Sequence, residues 1–109
     1  MFKVEIVLDE EKILRGGKID LDEMWLEIDN HYSQYGLPKV KKGVYTDAGR
    51  ERDWSCFWQA NLKLREYKLF RDNVVKWHWY NSDEAKIDAK YTGEDLISEY
   101  NRLDKKHKL

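Results

Sequence analysis

The sequence predicts a two-layer α+β domain, in which a mostly antiparallel sheet of three or four strands carries two helices on one face. Three patterns support this prediction. Polar and apolar residues alternate in residues 2–8 and 54–64, as expected of strands with one buried face. An apolar stripe at helical spacing covers residues 21–35. Residues 74–80 combine β-branched valines with a Trp-x-Trp pair, which favours a further strand.

The N-terminal segment predicts a strand followed by a short turn. The even positions of residues 2–8 are all apolar, so we expect this strand to bury its even face. Residues 9–15 begin with acids and end with Arg15, which suits the dipole of a short helical turn. A hairpin arm is the alternative for the same residues.

The first long helix is predicted over residues 21–35. Asp20 is a suitable N-cap, and Glu23 completes a capping-box pattern. Gly36 ends the helix and Pro38 prevents its continuation. The apolar stripe consists of Leu21, Trp25, Ile28, Tyr32 and Tyr35.

The middle of the chain predicts a hairpin. Residues 40–46 form its first strand, with Gly43 at a bulge or a close approach, and a polar loop runs to about residue 52. Residues 54–64 are then the central strand, because their even positions are apolar and their odd positions are polar apart from Phe57. Its tryptophans are expected to meet the first helix in a core of Trp25, Tyr32, Trp54, Trp58, Trp77 and Trp79.

The C-terminal part predicts a strand and a second helix. Residues 66–73 fit a helix or a turn, and the helical spacing continues as far as Trp77, but the alternation over 74–80 favours a strand there. A short edge segment is expected over 87–91. Thr92 is the predicted cap of a helix over about 93–104, and a basic, frayed tail over about 105–109 completes this single domain.

Charge is unevenly distributed along the chain, although the formal net charge is −1. Residues 1–37 hold nine acidic and four basic residues, whereas residues 38–78 hold ten basic and five acidic residues. Two interpretations are open: the two segments neutralise each other, or a basic sheet surface meets an acidic partner. A lone cysteine and no apolar run near 20 residues predict a cytoplasmic protein without membrane association.

No motif in the sequence indicates catalysis, a cofactor or a metal. The three histidines lack metal-ligand spacing, and the acidic clusters near Asp9 and Asp20 are explained by helix capping. Cys56 lies on the apolar side of the predicted central strand, so we expect a buried, inert thiol. We therefore expect a non-catalytic protein.

The polar side of the predicted sheet is the candidate binding site. Rings among basic and amide side chains suit protein hot spots, and they also suit stacking of single-stranded nucleic acid. A protein partner or self-association is the first hypothesis, nucleic acid the second, and an ordinary solvated surface is the alternative without function. The candidate residues are Phe57, Gln59, Asn61, Lys63, Arg65, Lys76 and His78.

Overall fold

The computed structural model describes residues 2–81 and 92–107. Within these ranges five strands and five helices follow one another along the chain. Their bounds are β1 (Phe2–Leu8), α1 (Glu10–Gly16), α2 (Leu21–Ser33), β2 (Lys39–Lys41), β3 (Val44–Thr46), α3 (Asp53–Arg65), α4 (Lys68–Asn73), β4 (Val74–Asn81), β5 (Thr92–Asp95) and α5 (Leu96–His107).

The strands form one antiparallel sheet in the order β2-β3-β1-β4-β5. β1 lies at the centre, where Val4 is opposite Tyr45 of β3 and Trp79 of β4. Its strict alternation explains this position, because a central strand with one buried face needs apolar side chains on one side only. The strands predicted over 2–8 and 74–80 are confirmed.

The inward-facing rings of β4 contact four helices, α2, α3, α4 and α5. Tyr32 of α2 accepts a hydrogen bond from Trp77, and Phe70 of α4 and Tyr100 of α5 pack against the same indole. Phe57 of α3 packs against Trp79. The predicted α+β class with an antiparallel sheet is therefore confirmed. The described residues hold five strands and five helices, where three or four strands and two helices were predicted.

The prediction of a central strand over 54–64 is wrong, since these residues belong to helix α3. The buried positions Phe57, Ala60, Asn61 and Leu64 follow helical spacing. A second apolar row runs along the flank of this stripe, at Trp54, Trp58 and Leu62. Together with Cys56 and two of the buried positions it makes every even residue apolar, which gave the appearance of a period of two. Thirteen residues are also long for a strand. The apolar Phe57, at one of the odd and otherwise polar positions, was the signal in the sequence against a strand.

The tight hairpin lies between β2 and β3 rather than between β3 and residues 54–64. Gly43 in its turn has φ +78°, and its carbonyl accepts a hydrogen bond from Ile6 N at 2.7 Å. A Cβ at this position would lie 2.3 Å from the Ile6 carbonyl oxygen. The close approach predicted for Gly43 is therefore real, and it anchors the hairpin on β1.

The first two predicted helical segments are confirmed. Residues 10–16 form α1, and α2 begins after Asp20, whose side chain accepts hydrogen bonds from two backbone N–H groups of the first turn. α2 ends at Ser33, and the chain turns through Gly36 at φ +72°. The stripe of α2 buries Trp25, Ile28 and Tyr32.

The later elements differ from prediction at their boundaries. Residues 68–73 form the short helix α4, and strand β4 follows it directly. The helical and the strand pattern that overlap in this part of the sequence are therefore both present, one after the other. Residues 92–95 form β5, so the last helix begins at Leu96 with Asp95 rather than Thr92 as its cap. α5 continues to His107, so the first part of the predicted tail is helical. The predicted edge segment 87–91 lies outside the described residues.

Candidate functional site

The structure does not bring the seven predicted binding residues together. Lys76 and His78 lie on β4, and the other five lie on α3. Phe57 and Asn61 are fully buried, and Arg65 is half-buried. The other two α3 candidates, Gln59 and Lys63, are exposed on the opposite side of the sheet from the outward-facing β4 residues.

Phe57 and Asn61 belong to the core rather than to a surface. Tyr32 Oη donates a hydrogen bond to Asn61 Oδ1 at 2.8 Å, and Trp77 Nε1 donates to Tyr32 Oη at 3.3 Å. Burial raises the pKa of Tyr32 far above its usual value. This chain of polar groups orients α2 and α3 against β4. Asn61, which belongs to it, and the buried Phe57 therefore have structural roles.

The strand register defines a continuous surface on the side of the sheet opposite the helices, which we call the outer sheet face. One row crosses all five strands, because each of its members is directly opposite the next. A neighbouring row consists of Thr46, Lys3 and Tyr80, and the row on the other side consists of Val7 and Lys76. The five-strand row consists of Lys41, Val44, Glu5, His78 and Asp95.

Lysines surround Glu5 at the centre of the outer sheet face. Lys76 forms an ion pair with Glu5, and its hydrogen bond is the main reason that the pKa of Glu5 lies below its usual value. Lys3 and Lys41 lower the pKa further through their charges. The same pair raises the pKa of Lys76. The Glu5 carboxylate thus interacts electrostatically with three ammonium groups.

Two rings lie beside these lysines. Lys3 Nζ is 4.8 Å from the centre of the Tyr80 ring, a cation–π distance. The His78 ring meets Tyr80 edge-on with centroids 5.8 Å apart, and His78 Nδ1 is 3.3 Å from Tyr80 Oη. The outer sheet face therefore contains the combination of rings and cations that the sequence predicted, but it is built by β1, β2 and β4 instead of residues 57–65.

Sequence reasoning missed the contribution of β1 and β2 to this face. The odd positions Lys3, Glu5 and Val7 were expected to face away from the core. These residues contact Lys76 and His78 only because β1 pairs with β4, which joins residues about 70 positions apart. Alternation predicts the side on which a residue lies, and it does not predict which strand is its neighbour.

The buried carboxylate of Asp53 has a structural role. Its side chain is 1% exposed and accepts hydrogen bonds from Ala48 N, Arg50 N and Arg50 Nε, while Arg50 also donates to the Tyr35 carbonyl. Burial opposes ionisation, but these donors outweigh it and leave the pKa below its usual value. A carboxylate held ionised by fixed donors is poorly suited to accept a proton from a substrate.

Cys56 packs against the core but is only half-buried, whereas a buried thiol was predicted. It lines a surface groove of about 460 Å³ between the end of α2 and the start of α3, together with Arg50 and Arg52. Among residues 2–81 and 92–107, no three histidine, cysteine or acidic side chains are placed to hold a metal ion. No described helix is both long and apolar enough to cross a membrane.

Comparison with known proteins gives no relative from which a function could be transferred. No protein-family model matches the chain, and no curated protein is significantly similar to it in sequence. The function of this chain therefore has to be inferred from the geometry of the outer sheet face.

Proposed function

We propose that this chain is a small non-catalytic domain that binds a partner protein through the outer sheet face, in a regulatory or accessory role. The observation that carries the proposal is the row of side chains that crosses all five strands on the side opposite the helices. A five-stranded surface of this kind offers a broad and rigid platform, since its backbone is fixed by the ladder of the sheet.

The chemistry of the platform supports a protein partner. Tyrosine is enriched at binding hot spots because it combines a large apolar ring with a polar tip. Tyr80 and His78 supply the rings, Val7 is 43% exposed in the row next to His78, and Lys41 has no ion-pair partner among the described residues. Apolar, aromatic and cationic groups thus lie side by side, and they suit a partner that is apolar at its centre and acidic at its edge.

A catalytic role has less support. Among the described residues, the acids whose pKa values are lowered are Glu5, Glu10 and Asp53, and each has a fixed donor that explains the shift. Catalytic acids and bases are expected instead to have pKa values moved towards neutrality in a concave site. We also place the domain in the cytoplasm, on the grounds of its single free cysteine.

Matched double variants test the proposal by affinity capture from the native host. Lys41→Ser with Tyr80→Ser alters the outer sheet face, and Gln59→Ser with Lys63→Ser alters exposed positions of α3 on the other side. We expect the first variant to lose at least about tenfold in retention of the partner, as for hot-spot residues. Equal retention by both variants, with circular dichroism showing both folded, would reject the outer sheet face.

Binding of single-stranded nucleic acid is a second candidate function. It is favoured by the Tyr80 and His78 rings lying beside Lys3, since bases stack on rings while cations contact phosphates. It predicts binding of an oligothymidylate that weakens steeply with salt and is lost in the Lys41→Ser, Tyr80→Ser variant. Absence of binding at low salt would eliminate this candidate and leave the protein-binding proposal intact.

A further inference from the structure

The groove between the end of α2 and the start of α3 is a second feature with ligand chemistry. Its volume of about 460 Å³ lies in the range of sites that bind small molecules. We call it the arginine groove, after Arg50 and Arg52 in its lining. The other residues that line it are neutral, so no acidic side chain competes there with a bound anion.

Arg50 is fixed on one side of the arginine groove. Its Nε donates to Asp53 Oδ1 at 2.7 Å, and its Nη2 donates to the carbonyls of Tyr35 and Gly36. Asp53 neutralises the charge of Arg50, but these contacts leave Nη1 without an acceptor among the described residues. Because this nitrogen carries two N–H groups, the fold holds two unused donors in a fixed position.

Gly36 provides the space in which Arg50 Nη1 lies. A Cβ at position 36 would be 2.8 Å from that nitrogen, and φ at this residue is +72°. Gly36 also lines the arginine groove. The unused donors of Arg50 therefore lie next to a part of the chain that borders the groove.

Arg52 supplies a second guanidinium group to the arginine groove. Its side chain is exposed, and the described residues give it neither an ion pair nor a hydrogen bond. The neighbouring Glu51 is also exposed, but it does not line the groove. The charge of Arg52 is therefore available to a ligand.

Lys63 adds positive charge near the same groove. Its Nζ is 5.2 Å from the centre of the Tyr35 ring, which is part of the lining. The described residues place no carboxylate within ion-pair distance of Lys63. Arg52 and Lys63 together favour a ligand with more than one negative charge.

We propose that the arginine groove binds a phosphomonoester, which is a phosphate group attached to an organic body. One guanidinium group can satisfy both oxygens of a carboxylate, whereas a phosphomonoester has three terminal oxygens and about two negative charges at neutral pH. Its oxygens would accept hydrogen bonds from Arg50 Nη1 and from Arg52 at the same time. The organic body would contact Tyr35 and Cys56, which are both half-buried.

Two sources can supply this chemistry: a free phosphorylated small molecule, and a phosphorylated side chain of a peptide. The arginine groove shares no residue with the outer sheet face, since its lining comes from the end of α2, the loop before α3 and the first turn of α3. The inference therefore does not depend on the proposed function, and either of the two can fail alone.

Alkylation of Cys56 by iodoacetamide, followed by mass spectrometry, tests the proposal. Cys56 is the only cysteine of the chain, so this neutral reagent reports on the arginine groove alone. Phenyl phosphate should slow the reaction in a saturable way, phenyl sulfate should do so only at higher concentration because it carries one charge, and phenol should have no effect. Equal effects of phenyl phosphate and phenol, or no protection by phenyl phosphate, would overturn the proposal.

Arginine variants show whether protection depends on the groove. Arg52→Gln should raise the concentration of phenyl phosphate needed for half protection at least about tenfold, because a charge-assisted hydrogen bond is lost. Charge reversal in Arg52→Glu should abolish protection. Arg71→Gln is the control, since Arg71 is exposed on α4 and does not line the groove. The same half-protection concentration in Arg52→Gln and Arg71→Gln would contradict the site.

A glycine variant tests the role of Arg50 without removing its charge. In Gly36→Ala the new methyl group must displace Arg50 Nη1, so protection should again need a concentration at least about tenfold higher. Gly17→Ala is the matched control, because Gly17 has a similar φ of +64° and its Cβ would have no atom within 4 Å. Equal protection of the two variants, both folded by circular dichroism, would contradict a phosphate shared by two arginines.

A peptide arm distinguishes the two sources. A tripeptide with phosphotyrosine between two glycines is compared with its unphosphorylated form and with phenyl phosphate, which carries the same phosphate and ring. Tighter binding of the phosphopeptide than of phenyl phosphate supports a peptide ligand, and the reverse order supports a free small molecule. Equal protection by the phosphorylated and unphosphorylated peptides would overturn recognition of a phosphomonoester.

Discussion

Asp53 shows how much of this domain depends on a single side chain. Its carboxylate receives three donors from the loop before α3, and the same Arg50 that contacts it also reaches the carbonyls of Tyr35 and Gly36 after α2. One ion pair with a buried carboxylate thus joins a loop, the start of one helix and the end of another. Such a group is costly to disturb, because a change in the carboxylate leaves its donors without their charged acceptor.

Asp53→Asn should lower the free energy of unfolding by about 2 kcal/mol at neutral pH, since charged hydrogen bonds are replaced by neutral ones. Urea unfolding measures this loss. Asp72→Asn is the control, because Asp72 is about half exposed and its ion pair with Lys68 is long, at 3.7 Å. Equal losses in the two variants would contradict the structural role of Asp53.

The pH dependence of the same variant has a defined sign. The pKa of Asp53 is lowered in the folded protein, so its contribution is fully present above the unfolded pKa of about 3.9 and is lost as pH falls through the folded value. The stability difference between wild type and Asp53→Asn should therefore shrink on acidification. A difference that stays constant from neutral pH down to acid would contradict an ionised, hydrogen-bonded carboxylate.

The prediction from sequence failed at helix α3. Because these residues are helical, the candidate site lies at a different place from the one predicted. Strands β1 and β4 and helix α2 were predictable because their local signals agree: strict alternation in the strands, and cap, stripe and stop residues in the helix. In residues 54–64 two adjacent apolar rows of a helix, only one of which bears tryptophan, imitated a period of two. In the sequence, the length of the segment and the apolar Phe57 among its polar positions are the features that favour a helix over a strand.

Exposed Gln59 in the middle of α3 offers a direct test of its helical state. Gln59→Ala should give a more stable protein than Gln59→Val, by about 0.5 kcal/mol, because alanine has the higher helix propensity. A strand would give the opposite order, since valine is favoured there. Both variants lose the hydrogen bond to Ser55, so that loss cancels in the comparison.

The candidate site could be predicted only in part, for a reason that concerns strand pairing. Lys76 and His78 were placed on an outward sheet surface from the alternation of residues 74–80, and they lie there. Glu5 and Lys41 join them through pairings between distant segments, which local patterns do not encode. The chemistry of the site was therefore predictable, whereas most of its members were not.

The distribution of charge across the domain supports both interpretations of its uneven sequence. Ion pairs join the acidic N-terminal third to the basic middle, at Glu10–Lys42, Asp29–Lys39 and Glu5–Lys76. These pairs account for much of the neutralisation. Lys41 has no ion-pair partner among the described residues, so a cationic group remains on the outer sheet face after this pairing.

The β2 edge of the sheet discourages a partner that would extend the sheet by another strand. It favours a partner that binds to the outer sheet face. β2 is an edge strand of three residues that carries Lys39 and Lys41, and both features discourage pairing with another strand. Binding on the broad face, through side chains of β1 and β4, avoids this obstacle.

Site-specific photo-crosslinking tests the central claim most directly. A benzophenone side chain replaces Val7, which is 43% exposed on the outer sheet face, or Gln59, which is exposed on α3. In extracts of the native host, we predict a discrete adduct with one partner protein from position 7 and none from position 59. The same adduct from both positions, or an adduct from position 59 alone, would contradict binding through the outer sheet face.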